Sequence, residues 1–280
     1  MGAPSLVFRR QLLESVDSSN NVIKQALEAG EPEGLAVQAR VQTGGYGRQG
    51  RGWTSPRGGM YMSLLLRPQV PLAQLPTLSL VTGLAVRDAL RSLVVAEEAR
   101  RIVVKWPNDV VYDEGARVLP TDDAATPRLD KTTLRKLCGI SLEFHAGGIC
   151  IGIGVNVLPP APPTGAPSSP MAVAGNRPLY LAELGYGHTC RQQEAVDAVA
   201  EAVLAAFARR YDQWQAEGFA PFATEFAEGD PLRGKVVVMV DVEGRPLAEG
   251  IAAGVDERGS LFLETPDGVR AVSFGEAHLI

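Results

Sequence analysis

Thr43-Gly-Gly-Tyr-Gly-Arg-Gln-Gly-Arg-Gly-Trp53 is the stretch on which the reading of this chain turns. Within it, Gly45-Tyr-Gly47-Arg-Gln-Gly50 satisfies the Gly-x-Gly-x-x-Gly spacing of dinucleotide-binding folds. Its context excludes that use. A dinucleotide turn opens a helix and is followed by an acidic ribose partner about 20 residues on. Here the chain runs through Pro56 and Gly58-Gly59 into Met60 to Arg67, an apolar run that reads as a buried strand. The distinguishing feature is the pair Arg48 and Arg51 set among glycines. Glycines allow close backbone approach to a ligand, and the guanidinium groups can neutralise phosphate. The composition predicts a mobile loop that orders over a phosphate or mixed anhydride. A solvated surface loop is the plain alternative.

Lys105-Trp-Pro-Asn-Asp109 follows the short apolar run Ile102-Val-Val. It places an ammonium, an aromatic ring, an amide and a carboxylate at a strand end, where ligand sites of α/β sheets lie. A partly buried lysine needs an anionic partner or a job. Lys136-Leu-Cys-Gly139 puts a second lysine at the mouth of another apolar strand. Two strand-end lysines beside glycines suit a site that neutralises phosphate charge. Gly152-Ile-Gly154-Val-Asn156 leaves bare backbone on one strand face, as if something lies against it; a bulge or tight sheet crossing is the alternative.

Around these motifs the chain alternates strands and helices. Pro4 to Glu14 reads as a strand and connector, and Leu35 to Gln42 as a strand. The cap-forming cluster Ser15-Val-Asp-Ser-Ser-Asn20 precedes a helix ended by Gly30. Leu75 to Leu93 has helical periodicity. Leu137 to Phe144 and Ile149 to Val157 form a strand pair about Ala146-Gly147-Gly148. Gln193 to Glu217 is a long amphipathic helix with Val196, Val199, Val203, Leu204, Phe207 and Tyr211 as its apolar stripe. Asp113 to Lys131 reads as a polar surface insertion. Leu158 to Pro170, with six prolines, reads as an extended loop. From Leu232 to Ile280 the pattern changes to short strands with turns at Glu243-Gly244, Arg258-Gly259 and Asp267-Gly268, which implies a small β-barrel. Its inward positions are expected at Val236, Val238, Val240, Leu261 and Leu263. The boundary falls near Gly229, giving domains 1–229 and 230–280.

The formal charge of −5 argues against a broad basic surface for nucleic acid. Three cysteines with no Cys-x-x-Cys pair argue for a reducing compartment, and the histidines His145, His188 and His278 are isolated, without metal-ligand spacing. No apolar run approaches the roughly 18 residues of a membrane-spanning helix. The N-terminus lacks the pattern of a secretory signal. A cytoplasmic protein without membrane contact is expected. There is no Walker A pattern and no Gly-x-Ser-x-Gly elbow, so ATP, if used, is bound by something other than a P-loop.

These pieces, in this order, resemble the biotin protein ligases: Ser18-Ser-Asn20 before a helix, Gln42, the Gly45–Arg51 loop with Trp53, Lys105-Trp-Pro-Asn-Asp109, Lys136-Leu-Cys-Gly139, Gly152-Ile-Gly-Val-Asn156, and Gly218-Phe-Ala-Pro-Phe222 before the terminal barrel. The resemblance implies an α+β fold: a class II synthetase-like catalytic domain, a mixed sheet with flanking helices, followed by an SH3-like β-barrel. It implies activation of biotin by ATP and Mg²⁺ to biotinyl-5′-AMP. The biotinyl group then passes to a lysine of a biotin carboxyl carrier domain of acetyl-CoA carboxylase or a related carboxylase.

By the same resemblance, Ser18, Ser19, Asn20 and Gln42 hold the ureido ring, and Tyr46, Gly47 and Arg48 cover the adenylate. Lys136 meets the biotin carboxylate and the phosphate. Gly45, Arg51, Trp53, Asn108, Gly139, Gly154 and Asn156 complete the binding set. Lys136, Lys105, Arg48 and Asp109 are the catalytic candidates, with Asp109 proposed to deprotonate the acceptor lysine. The chemistry fits the charge pattern, because a carboxylate attacking an α-phosphate needs fixed cations to offset repulsion. Two departures stand out: Tyr46 and Gln49 occupy positions that are commonly basic in the family. No DNA-binding segment is expected ahead of the catalytic domain, and the oligomeric state is expected to be monomer or weak homodimer. The rival readings are a lipoate or octanoate ligase of the same fold and a non-catalytic carrier-binding protein.

Overall fold

The computed structural model describes residues 6–115, 134–160, 177–187, 191–241 and 243–279. β1 (Arg9–Leu13) leads to α1 (Ser19–Glu28), β2 (Leu35–Ala39) and β3 (Met60–Leu66). α2 (Leu78–Arg91) and the single turn α3 (Ala96–Ala99) precede β4 (Ile102–Lys105), β5 (Asp109–Asp113), β6 (Leu134–His145) and β7 (Gly148–Val155). These strands form one seven-stranded sheet in the order β1-β2-β3-β7-β6-β5-β4. Only β1 and β2 run parallel; the other pairs are antiparallel hairpin or crossover partners.

β3 is buried at all seven positions, which is why it reads as an unbroken apolar run and not as an alternation. One of its faces meets α1, whose Ile23 and Leu27 pack with Val37, Leu65 and Cys150. The other meets the main core, where α2 and α4 (Gln192–Glu217) lie together. Gly83 of α2 has no room for a side chain, because a Cβ there would sit 2.8 Å from Val104 Cγ1. That close approach seats α2 on β4. Along α4, Phe207, Tyr211 and Trp214 form a stacked ladder, and Trp214 Nε1 donates to Thr77 Oγ1 at 2.9 Å. The buried indole thereby keeps its polar group satisfied.

α5 (Ala220–Glu228) arises from the Gly218–Phe222 motif and carries the chain to the second sheet. Four charges fix it: Arg87 and Arg210 both pair with Asp88 and with Glu225. Burial works against the Glu225 carboxylate, but the two guanidinium groups outweigh it and hold its pKa at about 2.

β8 (Val236–Val240), β9 (Pro246–Val255), β10 (Leu261–Thr265), β11 (Gly268–Val272) and β12 (Glu276–Leu279) form a five-stranded antiparallel sheet, ordered β11-β10-β9-β8-β12. It is the SH3-like unit expected at this end of the chain. Leu261 and Leu263 point inward as expected, but β8 is shifted by one residue. Val237 and Met239 are buried, while Val236 is 41% exposed and Val238 and Val240 are half-buried. Val236-Val-Val-Met-Val is apolar at every position, so no alternation marks its inner face; pairing with β9 and β12 decides it.

The expected strands and helices sit close to their expected places. Leu75 to Leu93 begins as a 3₁₀ turn through Thr77 before α2. β5 and α5 were not expected as separate elements. Most of the Asp113–Lys131 insertion, the Pro-rich loop beyond Pro160, His188 and Cys190 lie outside the described residues. Among the described residues, no helix is long and apolar enough to cross a membrane.

Candidate active site

The start of α1 shows how local sequence is diverted to a site. Ser18 occupies the N-cap position with extended backbone, yet makes no side-chain cap. Ser18, Ser19 and Asn20 are instead buried at 1–3% exposure and line a cavity of about 400 Å³ above the centre of the sheet. Gln42 Oε1 accepts from both Ser19 N, at 2.8 Å, and Ser19 Oγ, at 2.9 Å. Ser63 Oγ lies 2.7 Å from Ser19 Oγ and donates to Asn20 Oδ1 at 2.6 Å. Asn20 Nδ2 reaches Ser141 Oγ and Glu143 Oε1, each at 3.2 Å. Gln42 Nε2 donates to Ser55 Oγ at 2.9 Å. The groups that line this end are uncharged and hydrogen-bonded to one another, with the Glu143 carboxylate behind Asn20, an arrangement suited to a small polar ring that carries no charge.

Gly152 belongs to this end of the cavity. It faces Ser63 on β3 and Ser141 on β6, and a Cβ on it would lie 2.5 Å from Asn20 Oδ1. Gly139 and Gly154 are cross-strand partners, and together they leave a bare strip of sheet. Trp53 covers that strip: a Cβ would come within 2.8 Å of the ring on Gly139 and 2.7 Å on Gly154. What lies against these glycines is thus the protein's own indole. Trp53 Nε1 is buried and has no acceptor among the described residues.

The Gly/Arg stretch is a miniature hairpin. Tyr46 bridges Gly52, Gly47 N donates to Arg51 O at 2.8 Å, and Gln49 at the tip has φ +59°. Gly45 alone among the expected residues does not line the cavity. It forms the crowded base of the hairpin, where a Cβ would lie 2.6 Å from Ser55 Oγ and 2.7 Å from Trp53 O. Three side chains tie the hairpin down. Tyr46 Oη donates to Asn21 Oδ1 at 3.3 Å, with Lys24 Nζ 5.2 Å from the ring centre; Lys24 is itself paired with Glu143. Arg48 Nη1 donates to Asn108 Oδ1 at 3.2 Å. Arg51 pairs with Glu276 on β12.

The opposite end of the cavity is cationic. Lys136 Nζ sits 2.7 Å from Asp109 Oδ1 and 5.3 Å from the Trp53 ring centre. Its backbone is fixed as well: Lys136 O accepts from Asn156 Nδ2 at 2.9 Å and from Leu179 N at 2.8 Å. This gives Asn156 a bracing task. Asn108 Nδ2 similarly donates to Ile140 O at 2.8 Å. Asp109, the candidate to deprotonate the acceptor lysine, is paired with the Lys136 ammonium. Lys105, expected to face phosphate, lines the cavity but directs its Nζ to Ala277 O at 2.7 Å. Burial lowers its pKa, an effect opposed by Asp109, Glu276 and Asp230. Burial also lowers the pKa of Arg48, offset in part by Glu276 and Asp109.

Residues 12–157 match the model of the biotin/lipoate A/B protein ligase family, and residues 233–279 match the biotin protein ligase C-terminal domain. The chain belongs to the biotin/lipoate A/B protein ligase family. A biotin–[acetyl-CoA-carboxylase] ligase of Paracoccus denitrificans is 31% identical over 245 residues, covering 86% of this chain and 88% of the relative. One of Mycobacterium tuberculosis is 27% identical over 279 residues, covering 99% and 91%. The solved biotin protein ligase of Aquifex aeolicus in complex with biotin and ATP superposes with a TM-score of 0.70 at 25% identity, covering 97% and 98% of the two chains.

For a member of this family, the sequence reading missed Ser63, Ser141, Glu143 and Lys24, and the barrel's Glu276 and His278. The first two are single serines inside apolar strands, a weak signal that strand alternation could have raised. The barrel pair had no local signal, since only the packing of two sheets brings β12 to the cavity.

Proposed function

We propose that this chain is an ATP-dependent biotin ligase that makes biotinyl-5′-AMP and transfers the biotinyl group to a lysine of a biotin carboxyl carrier domain. The observation that carries the reading is the polarity of one cavity. A neutral hydrogen-bonding end, built on Ser19, Asn20, Gln42, Ser63 and Ser141, is joined across Trp53 to a cationic end at Lys136 and Arg48. Biotin has that order: an uncharged ureido ring, an apolar middle and a carboxylate tail.

In the first step the carboxylate oxygen attacks the α-phosphorus of ATP, a P–O bond forms, and pyrophosphate leaves with the electrons of the broken bond. Lys136 reduces the repulsion between the two anions, and Arg48 closes over the new anhydride. In the second step a neutral lysine amine of the carrier attacks the acyl carbon, the acyl–oxygen bond breaks with its electrons leaving on AMP, and the amine's proton passes to the departing phosphate, leaving an amide. Asp109 holds the Lys136 ammonium in place through both steps, and Trp53 and the hairpin keep water from the anhydride. Mg²⁺ would neutralise pyrophosphate charge. Asp109 and Glu276 are the carboxylates that reach the cavity, and among the described residues no cluster of three or more ligating side chains exists. That donor set suits Mg²⁺ carried in on phosphates, which takes one or two protein carboxylates.

Residues 1–229 would carry both chemical steps and residues 230–280 would complete the nucleotide end. The carrier domain is the proposed partner. The match of residues 233–279 to the biotin ligase C-terminal domain favours biotin over lipoate. Pyrophosphate exchange into ATP that depends on biotin tests the reading. Exchange supported by lipoate or octanoate instead, or by neither acid, would overturn it.

A further inference from the structure

Lys105 and Trp106 begin the strand-end motif that the sequence assigns to phosphate chemistry, yet their polar atoms point to the second sheet. Lys105 Nζ donates to Ala277 O at 2.7 Å, and Trp106 Nε1 donates to Gly259 O at 3.0 Å. Both acceptors are backbone carbonyls, one on β12 and one in the turn between β9 and β10. Trp106 is 2% exposed, so its indole fills the seam and does not stack on a ligand. Gly259 also packs against α2, where a Cβ would lie 3.3 Å from Leu80 Cδ1 and Thr77 Cγ2.

β12 is four residues long and lies at the edge of its sheet, paired only with β8. Such a strand is weakly held by its own ladder. Ala277, which receives the Lys105 ammonium, is flanked by Glu276 and His278, the two barrel residues that line the cavity. Glu276 in turn receives Arg51 from the hairpin. A single buried donor therefore sits behind the only strand of the barrel that reaches the site among the described residues.

We infer that Lys105, seconded by Trp106, is a positioning residue that clasps β12 to the catalytic sheet and so sets Glu276 where the hairpin's Arg51 can close on it. This rests on the ligase reading for its consequence, but the clasp itself is testable without activity. The geometry separates it from a phosphate-binding role, because a charge on a backbone carbonyl of another sheet stabilises that sheet's position whether or not ATP is present.

Amide hydrogen exchange on the full-length protein, wild type against Lys105→Met, is the test. Residues 276–279 should exchange about tenfold faster or more in the variant, as expected for loss of a charge-assisted hydrogen bond. Residues 149–155 of the central sheet should be unchanged, and biotin affinity by calorimetry should stay within twofold while the KM for ATP rises. Unchanged exchange over 276–279 with a lower kcat would overturn the clasp and return Lys105 to the phosphate. If Lys105→Met does not fold by circular dichroism, Lys105→Leu, which likewise lacks a donor, is read the same way. Failure of the wild type in biotin-dependent pyrophosphate exchange would sink the ligase reading and leave the exchange result standing.

Discussion

Trp53 packs against Gly154, so closely that a single methyl group on that glycine would meet the indole at 2.7 Å. The sheet keeps bare backbone here to accept a ring from the neighbouring hairpin, and the same ring forms the middle of the cavity. Gly154→Ala should therefore push Trp53 off the sheet. Overpacking of this kind costs about 1–3 kcal/mol, and biotin affinity by calorimetry should fall about tenfold or more. Gly52→Ala, where a Cβ meets nothing within 4 Å, is the control and should bind normally. Wild-type affinity in Gly154→Ala would show that the indole does not need this seat.

Lys136 is braced from three sides, by Asp109, Asn156 and the backbone of Leu179. Lys136→Ala should lose about 2–4 kcal/mol of transition-state stabilisation in adenylate formation. Its thermal unfolding midpoint should fall as well, because the buried Asp109 carboxylate loses its partner, so exchange is compared at a temperature where the variant is folded by circular dichroism. Pyrophosphate exchange within twofold of wild type would contradict the role given to it.

Tyr46 holds the hairpin to α1 through Asn21 and Lys24. One neutral hydrogen bond contributes about 0.5–1.5 kcal/mol. Tyr46→Phe should speed release of biotinyl-5′-AMP by about two- to tenfold, and Tyr46→Ala by more, because the contact with Lys24 goes too. A chase of bound adenylate in a stopped-flow experiment measures this. Equal release from Tyr46→Ala and wild type would remove Tyr46 from the set of anchors.

Asp230 stands between α5 and β8, and its Oδ2 is buried without a partner among the described residues. Burial raises its pKa to about 6, against the pull of the Leu232 amide, Arg233, Lys235 and Lys105. A carboxyl with a raised folded pKa favours the folded chain fully below its unfolded value near 3.8 and loses that contribution as pH rises through about 6. Asp230→Asn removes the ionisation. Urea unfolding should find the variant gaining on wild type between pH 4 and pH 7, and a gain that is flat across this range would contradict the burial argument.

The sequence by itself determined a good deal. Strand and helix order followed from apolar periodicity, because each element buries one face and its pattern is local. Gly45 to Trp53, Lys105 to Asp109 and Lys136 to Gly139 were legible as a phosphate-facing set, since charge among glycines at strand ends is a local signal. Tyr46, Arg48, Arg51, Trp53, Lys105, Asn108, Asp109, Lys136 and Gly139 of these stretches line one cavity. What the local pattern could not decide is where each charge finds its partner. Lys105 reads as a phosphate cation, but the packing of the barrel offers it the Ala277 carbonyl. Asp109 shows no partner in the local sequence until β5 and β6 pair and bring Lys136 beside it. The bare face at Gly152 and Gly154 suggested that something lies against it, and the fold covers Gly154 with Trp53 and Gly152 with Asn20 and Ser141. β8, apolar throughout, carries no inner face until its neighbours pair with it. Hydrophobic pattern acts over a few residues and can be read along the chain. Hydrogen bonds and ion pairs act over about 3 Å between segments far apart in sequence, so only the tertiary structure chooses among the partners that composition allows.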